Sequence, residues 1–398
     1  MPLEVLNTLG ALRRLESEWR TLALPTPMQS PDWLVSWWEA FGEQDPSCEL
    51  ATLAVRDDTG VLIGLAPWCL KSRAIAGGTL RFLGDGRAAT DHHTLICRSP
   101  EDEPAVVTAV AKWLADNAGH AWRRLRFESI DADDRALNHL ERLLVEAGLD
   151  AERVNDCGSF HVEMAPDGVE PAWDNYLATL SKNRRKRLRR WEREWFDTGR
   201  AVVRVVATEA ERAELWPLLV KLHHERRAAL GYVGVFDDQR FNRFHQLASE
   251  RLLAAGQLRL ALLELDGEPA AVDYVLQDAR SLYVYQGGIS DAGVELEAGH
   301  LLQLDSSRTS LAEGRTQVDL LRGDEPYKLS WGAAHRPATT LHVRPRDTAG
   351  TLERLAGAAY RWARDARRSA AEHNANASIP NPAEAGSGIA AMLDTKIP

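Results

Sequence analysis

Ionisable side chains cluster around the end of one predicted strand in the second half of the chain. The strand over residues 317–321 contains Asp319 and leads into Arg-Gly-Asp at 322–324, and a turn then presents Tyr327 and Lys328. Strand ends are frequent positions for ligand-binding groups in open α/β sheets. Carboxylate, phenol and ammonium groups at such an end could move protons and stabilise an anion. The alternative is an ordinary surface turn with a salt bridge.

A second polar stretch follows a predicted strand of the first half, at residues 84–93. It is rich in glycine and contains Asp91, His92 and His93. These side chains could carry out acid–base chemistry or hold a substrate amine. Adjacent histidines point to opposite sides of an extended chain, so we do not expect them to share a metal ion. The alternative is that their hydrogen bonds only stabilise the loop.

Glycines and a helix start indicate a place for an anion. A strand over Tyr283–Tyr285 is predicted to end at Gly287 and Gly288, and a helix opens within residues 297–302. The first amides of a helix lack intrahelical partners and lie at the positive end of its dipole, which suits a pyrophosphate. The matching helix of the first half opens with acids at 101–103, which would repel a phosphate. Glycines that serve only the turns are the alternative.

The run at residues 181–190 holds seven Lys or Arg in ten positions. Like charges on one helix repel each other, so the run is either a solvated face or a surface for a cofactor phosphate, a tRNA backbone or an anionic glycan. Arg184 interrupts an apolar stripe, so we expect it to point inward and bind an anionic group. Trp33, Trp37 and Trp38 are expected in the core, and Trp37 could line an acceptor pocket.

The elements that must position these groups occur twice. In each half, helical sequence precedes a hairpin with an Asp and Gly turn, over residues 51–70 and then over 258–276. A third strand, a helix and a further strand follow each hairpin. A single long helix is expected between the halves, over residues 173–198. We therefore expect two tandem copies of one α/β unit.

Composition restricts the class of protein. Of the 398 residues, 44% are hydrophobic and 27% charged, which is ordinary for a globular protein. No apolar run reaches the roughly 18 residues that a membrane span needs, and the first residues lack a signal-peptide pattern, so we expect a cytoplasmic protein. The net charge of −10 disfavours DNA. The four cysteines form no C-x-x-C pair and lie near no suitably spaced histidines, which predicts no metal site.

Taken together, the motifs resemble one family. Phe82-Leu83-Gly84 with Asp91, the stretches 180–188 and 285–288, and above all Asp319–Lys328 are similar to the CelD-like group of the GNAT superfamily, a group related to the Fem peptidyltransferases. The resemblance covers about residues 5–345. It implies an α/β (α+β) fold of two tandem GNAT-like domains, each with a mixed, mostly antiparallel sheet flanked by helices. It also implies acyl transfer to an amine.

The domain boundaries follow from this resemblance and from composition. We expect a degenerate, acceptor-side GNAT-like domain over residues 1–165 and an acyl-donor-binding GNAT-like domain over 166–345. A C-terminal helix is predicted over 346–369. The tail over 370–398 lacks periodicity and is predicted to be disordered.

The resemblance and the motifs assign the candidate residues to three groups. The catalytic candidates are Asp91, His92, Asp319, Tyr327 and Lys328. The candidates for binding acyl-coenzyme A are Tyr285, Gly287, Gly288, Ala298, Gly299, His300 and Leu301. The candidates for binding substrate are Trp37, His93, Arg184, Arg322 and Asp324. Residues 297–300 lack the full Arg/Gln-x-x-Gly-x-Gly/Ala loop of GNAT proteins, which leaves an aminoacyl-tRNA donor open.

The expected function is N-acyl transfer from acyl-coenzyme A, acetyl-coenzyme A first, to an amine of a small molecule, sugar or peptide. A base must first take a proton from the amine, and Asp91, Asp319 or His92 would serve. Amides near Gly287 and Gly288 and the Lys328 ammonium would stabilise the oxyanion. The alternatives are a Fem-like peptidyltransferase that uses aminoacyl-tRNA and a non-catalytic accessory protein of polysaccharide biosynthesis.

Overall fold

A computed structural model describes residues 2–73, 77–166 and 168–346. The C-terminal helix predicted over 346–369 and the tail predicted over 370–398 lie outside these residues, apart from Arg346. Residues up to 345 belong to one compact unit.

The strands, in chain order, are β1 (Leu3–Leu6), β2 (Cys48–Leu50), β3 (Thr52–Arg56), β4 (Leu62–Ala66), β5 (Trp68–Arg73), β6 (Gly77–Phe82), β7 (Ile96–Cys97), β8 (Arg124–Asp131), β9 (Asp150–Glu163), β10 (Ala201–Val205), β11 (Leu258–Leu265), β12 (Glu268–Gln277), β13 (Ser281–Ile289), β14 (Gln317–Arg322) and β15 (Ala334–Arg344). The helices are α1 (Leu9–Trp19), α2 (Pro31–Trp37), α3 (Glu103–Asn117), α4 (Arg135–Glu146), α5 (Trp173–Thr179), α6 (Lys182–Trp191), α7 (Glu209–Ala229), α8 (Gln239–Ala254), α9 (Asp291–Glu295), α10 (Ala298–Ala312) and α11 (Tyr327–Ser330).

Two sheets organise the described chain. The larger has the strand order β10-β11-β12-β13-β14-β9-β15-β8-β6-β5-β2, and the smaller has the order β1-β3-β4-β7. The two strands of the first hairpin are each divided between the sheets, since β2 and β3 are separated only by Ala51 and β4 and β5 only by Pro67. Proline lacks the amide that a continuous ladder needs, which accounts for the second break.

The two halves of the chain repeat one order of elements. Each half has an antiparallel hairpin, a third strand, a helix and then a strand that pairs in parallel with the third. The parallel pairs are β6 with β8 and β13 with β14, and antiparallel pairing dominates elsewhere. The expected mixed α/β fold of two tandem units is confirmed.

Strands from the two halves interleave at the centre of the large sheet. Strand β9 of the first half pairs with β14 of the second, and β15 inserts between β8 and β9. The last strand of the second half therefore completes the sheet of the first. The domain boundary between residues 165 and 166 stays a prediction.

Apolar residues cover both faces of the second half's strands. Leu260, Leu262 and Tyr274 face α7 and α8, whereas Ala261, Leu263 and neighbouring residues belong to the cluster that contains α10. This alternation is the period of two expected of strands that are buried on both sides.

The prediction of a single long helix over 173–198 is wrong. Helix α5 ends at Thr179, and Ser181 begins α6 by accepting a hydrogen bond from the Arg184 amide at 3.3 Å. A serine at this position satisfies one of the free amides of a new first turn, so it favours a restart over continuation.

Candidate active site

The second half of the sheet opens between β13 and β14. These strands pair only from Ser281 opposite Gln317 to Tyr283 opposite Asp319. Beyond this point β13 continues to Ile289 and β14 to Arg322 without pairing to each other. Tyr285 is an extra residue in β13, because Gln286 pairs with Tyr274 and Val284 with Val275. Such a bulge bends a strand, which helps to separate the two strands.

Strand β13 ends at Ile289, one residue beyond the predicted end, so Gly287 and Gly288 are the two residues before its last one. A Cβ on Gly288 would lie 2.6 Å from the amide nitrogen of His223, so the glycine allows α7 to pack directly on the strand. The Gly287 carbonyl accepts a hydrogen bond from His223 Nδ1 at 3.1 Å. The hydroxyl of Tyr285 donates to the Ala88 carbonyl at 2.6 Å, which joins the two halves.

Helix α10 begins beside this opening. Glu297 precedes the helix in a left-handed conformation, with φ of 59°, and its carboxylate pairs with Arg187. Ala298 and Leu301 are fully buried in the core, whereas Gly299 and His300 are partly accessible. A Cβ on Gly299 would lie 2.8 Å from Ile289 Cδ1, so the helix start packs against the end of β13.

A buried arginine lies at this helix start. The Arg184 side chain of α6 has its guanidinium carbon 4.3 Å from the ring centroid of Trp331 and 5.3 Å from that of Trp191. The His300 ring lies 5.7 Å from Trp191, and Tyr327 lies 5.9 Å from His300. We call these five residues the Arg184 pocket.

The charge of Arg184 has no anionic partner in the described chain. Arg184 is only 8% exposed, and its Nε and Nη2 are buried without a hydrogen-bond partner among the described residues. Burial lowers the pKa of Arg184 to about 10, which still leaves it charged at neutral pH. Burial, Arg184 and Arg187 together lower the pKa of His300 to about 4, so this imidazole is neutral. Buried unpaired cations are costly, so the pocket is suited to an anion.

Asp91 and Arg322 form an ion pair between the two halves. Arg322 Nε donates to Asp91 Oδ1 at 2.7 Å, and the Arg322 amide donates to Oδ2 at 2.9 Å. The Arg322 Nη2 also donates to the Thr90 carbonyl at 2.9 Å and to Ser129 Oγ at 2.8 Å. Asp91 thus holds the end of β14 in place.

His92 lies between two carboxylates. Its Nδ1 is 2.9 Å from Asp131 Oδ1 and its Nε2 is 3.2 Å from Asp319 Oδ2. Burial alone would lower the pKa of His92, but hydrogen bonds and charge from Asp131 and Asp319 raise it to about 10. Burial alone would raise the pKa of Asp319, but His92 and Arg336 lower it. At neutral pH the imidazole is therefore protonated, and Asp319 is a weak base.

Lys328 connects residues of its own loop. Its Nζ donates to the carbonyls of Leu321, Arg322 and Gly323 at 3.1, 2.8 and 3.1 Å, and it lies 2.9 Å from Glu325 Oε2. An ammonium has three N–H donors, and these acceptors use them all. Lys328 therefore stabilises the backbone at the end of β14. Its role at an acyl carbonyl stays a prediction.

The remaining candidate residues lie apart from the Arg184 pocket. His93 is 2% exposed and stacks 4.8 Å from Phe82, and burial lowers its pKa to about 4. Trp37 lines a separate cavity of about 140 Å³, formed by the first half and Arg240 of α8. Asp324 lies in the exposed turn that precedes α11.

The sequence analysis missed Asp131, Trp331 and Arg336. Asp131 is the last residue of β8, just as Arg322 is the last residue of the corresponding strand β14. The internal repeat could therefore have identified Asp131 as a candidate. Arg336 donates to Asp319 at 3.1 Å and borders an open cavity of about 470 Å³ with His161 and Asp133. Neither Trp331 nor Arg336 follows a motif that would have identified it.

Comparison with known proteins supports the fold. Residues 182–329 match the family model described as an acetyltransferase (GNAT) domain. The structure of FemX has 11% sequence identity and a TM-score of 0.57, covering 85% of this chain and 97% of that chain. A conserved protein of unknown function from Bacteroides thetaiotaomicron VPI-5482 has 11% identity and a TM-score of 0.54, covering 86% of this chain and 99% of that chain. No curated protein matches the chain.

Two features are absent from the described residues. None of their helices combines the length and the apolar character that crossing a membrane requires. Their His, Cys, Asp and Glu side chains form no group of three or more that could hold a metal ion.

Proposed function

We propose that this chain, whose residues 182–329 match a GNAT acetyltransferase domain and whose fold resembles that of FemX, is an N-acyltransferase that uses acyl-coenzyme A. The observation that carries the proposal is Arg184, a buried guanidinium with two free donors at the start of α10. In this proposal residues 166–345 bind the acyl donor and residues 1–165 lie on the acceptor side.

The donor's anionic part is assigned to the Arg184 pocket. The free N–H groups of Arg184 and the first-turn amides of α10 would both donate to phosphate oxygens. Glu297 opposes an anion there, but its pairing with Arg187 offsets this charge. The acyl end would extend toward the opening between β13 and β14. Acetyl-coenzyme A is the first candidate donor.

The chain's own groups can assist the reaction at the departing sulfur and at the end of β14. The amine nitrogen forms a bond to the acyl carbon, the carbon–sulfur bond breaks, and the amine gives up a proton. Burial raises the pKa of Tyr327, so its hydroxyl stays neutral and could donate a hydrogen bond to the departing thiolate. Asp91 pairs with Arg322, and His92 and Arg336 both contact Asp319, so these groups hold the end of β14. The acceptor is an amine of a small molecule, sugar or peptide.

Calorimetric titration with acetyl-coenzyme A, longer acyl-coenzyme As and free coenzyme A tests the proposal. We expect saturable binding, weakened by about tenfold or more in Arg184→Met because a charge-assisted contact is lost. Arg190→Met is the matched control, since Arg190 lies on the same helix and is 54% exposed. The assignment of the donor site would be refuted if none of the thioesters gave binding heat. It would also be refuted if Arg184→Met bound them with the affinity of the wild type.

A second candidate is a peptidyltransferase that uses aminoacyl-tRNA, as the sequence left open. The observation that favours it is the exposed face of α6, where Lys182, Arg185 and Lys186 have no carboxylate partner among the described residues. Arg185→Glu with Lys186→Glu should strongly weaken the binding of charged tRNA and reduce its salt dependence, yet hardly change acetyl-coenzyme A binding. Binding without turnover by either donor would favour the accessory-protein alternative.

A further inference from the structure

A carboxylate without a partner lies at the opening of the sheet. Asp273 occupies the middle of β12, directly opposite Gly287 of β13. Its neighbours on the same strand face, Ala271 and Val275, are buried apolar residues of the cluster that contains α10. No hydrogen bond or ion pair reaches this carboxyl within the parts of the chain that the structure describes, yet the residue is partly accessible. Carboxylates among buried apolar residues normally have donors, so this one calls for an explanation.

Gly287 keeps the space beside this carboxyl open. A Cβ at Gly287 would lie 2.9 Å from Asp273 Oδ1, so a side chain there would contact the carboxylate. Tyr327 is close enough that the charge of Asp273 helps raise the pKa of its hydroxyl. Asp273 therefore lies between the opening of the sheet and the Arg184 pocket.

We propose that Asp273 is the general base of the acyl transfer, the group that takes the proton from the attacking amine. This inference rests on the proposed function and replaces the bases that the sequence suggested. Asp91 is paired with Arg322, His92 is already protonated, and Asp319 is hydrogen-bonded by two donors. Asp273 alone among these acids has an unoccupied carboxylate facing the opening.

The environment of Asp273 suits this role. Burial raises its pKa to about 7, and the charge of Arg259 opposes this rise. Arg259 on β11 lies 3.8 Å from Asp305 of α10, and Tyr327 is the titratable group on the third side. A base with a pKa near the working pH combines a useful ionised fraction with a strong affinity for the proton.

The proposed step is balanced. One Asp273 oxygen binds the proton that leaves the amine, while the nitrogen–carbon bond forms and the carbon–sulfur bond breaks. The departing thiolate takes a proton from solvent, and Asp273 gives its proton back to solvent. Only the acyl donor and the amine are consumed.

The test measures coenzyme A release from acetyl-coenzyme A with two nucleophiles. One is hydroxylamine, and the other is an ordinary primary amine such as the side chain of lysine, which is protonated at neutral pH. Hydroxylamine is already largely unprotonated at neutral pH, so it does not need the base. In Asp273→Asn we expect turnover with the primary amine to fall by about 10²–10⁴ and the pH dependence near 7 to disappear. Turnover with hydroxylamine and the affinity for acetyl-coenzyme A should stay within about threefold of wild type.

Controls separate this inference from the proposed function. Glu264→Gln, on the neighbouring strand β11, should leave rate and pH profile unchanged. A wild-type protein that releases no coenzyme A with either nucleophile contradicts the proposed function itself. A working enzyme whose Asp273→Asn variant keeps the same rate and pH profile overturns only the role of Asp273. If that variant does not fold, carboxyl-carbon NMR of the wild type decides, since a carboxyl that titrates below about pH 5 could not be this base.

Discussion

Replacing Arg322 by Met tests the ion pair that joins the two halves. The change leaves Asp91, whose side chain is 5% exposed, with the backbone amide of residue 322 as its one remaining donor among the described residues. Breaking a fully buried pair costs about 3–5 kcal/mol, whereas surface pairs contribute about 0–1 kcal/mol. The Arg322 side chain is 33% exposed and that of Asp91 is 5% exposed, so the cost of breaking this pair should lie closer to the value for a buried pair than to that for a surface pair. We expect a loss of about 2–4 kcal/mol in the free energy of unfolding.

This loss converts into a shift that a melting experiment can resolve. An unfolding entropy of about 2.1 cal/mol/K per residue, over about 340 residues, gives roughly 0.7 kcal/mol/K. The expected decrease in Tm is therefore roughly 3–6 °C, measured by circular dichroism. Arg204→Met is the control, since Arg204 pairs with Glu264 but is 63% exposed. We expect it to change Tm by less than about 1 °C.

A double-mutant cycle makes the interpretation stricter. Asp91→Asn, Arg322→Met and the double variant should show a coupling free energy above about 1 kcal/mol, because the two side chains share two contacts. Additive effects within about 0.5 kcal/mol would refute the ion-pair argument. So would an Arg322→Met variant that melts like the Arg204→Met control.

Three further perturbations test other contacts. Lys328→Met should lower the free energy of unfolding by about 2–4 kcal/mol in urea titrations, because three carbonyls lose their donor; unchanged stability with lost turnover would instead support a role at the acyl carbonyl. The raised pKa of His92 contributes stability fully present below about pH 6.5 and lost as pH rises through about 10. Between pH 7 and 10 the unfolding free energy should fall by up to about 1.4 kcal/mol per pH unit, and by less in His92→Gln; parallel curves would contradict this. Gly288→Ala should destabilise the protein by about 1–3 kcal/mol because its Cβ would collide with α7, whereas Gly10→Ala in α1 should not destabilise it. Equal melting temperatures of these two variants would show that α7 can shift.

The sequence predicts local elements well and distant pairings poorly. Both hairpins follow from alternating apolar residues and Asp-Gly or Thr-Gly turns, which are short-range signals. The insertion of β15 between β8 and β9 depends on which edges remain unpaired after folding, and no local pattern encodes that choice. The break at Ser181 was missed because the apolar stripe continues past it.

The candidate site shows the same division. The interrupted stripe predicts that Arg184 points inward, and the structure places it there, although its binding role stays a prediction. The function of a charged strand-end residue is less predictable, because it depends on what the fold brings within 3 Å. Lys328 and Asp91 have the residue types of catalytic groups. In the structure, however, Lys328 donates its hydrogen bonds to backbone carbonyls, and Asp91 is paired with Arg322. Asp273 has no sequence motif around it. The space beside its carboxylate exists because the facing residue on β13, Gly287, has no side chain, and this pairing is not visible in the sequence.

The position of β15 has a consequence for biosynthesis. About 170 residues separate the end of β9 at Glu163 from the start of β15 at Ala334, and at about 5–20 residues per second their translation takes on the order of 10–35 s. During that interval the nascent first half exposes the facing edges of β8 and β9, which are open to unwanted pairing. Ribosome-associated chaperones would therefore have their main opportunity to act before the final strand emerges.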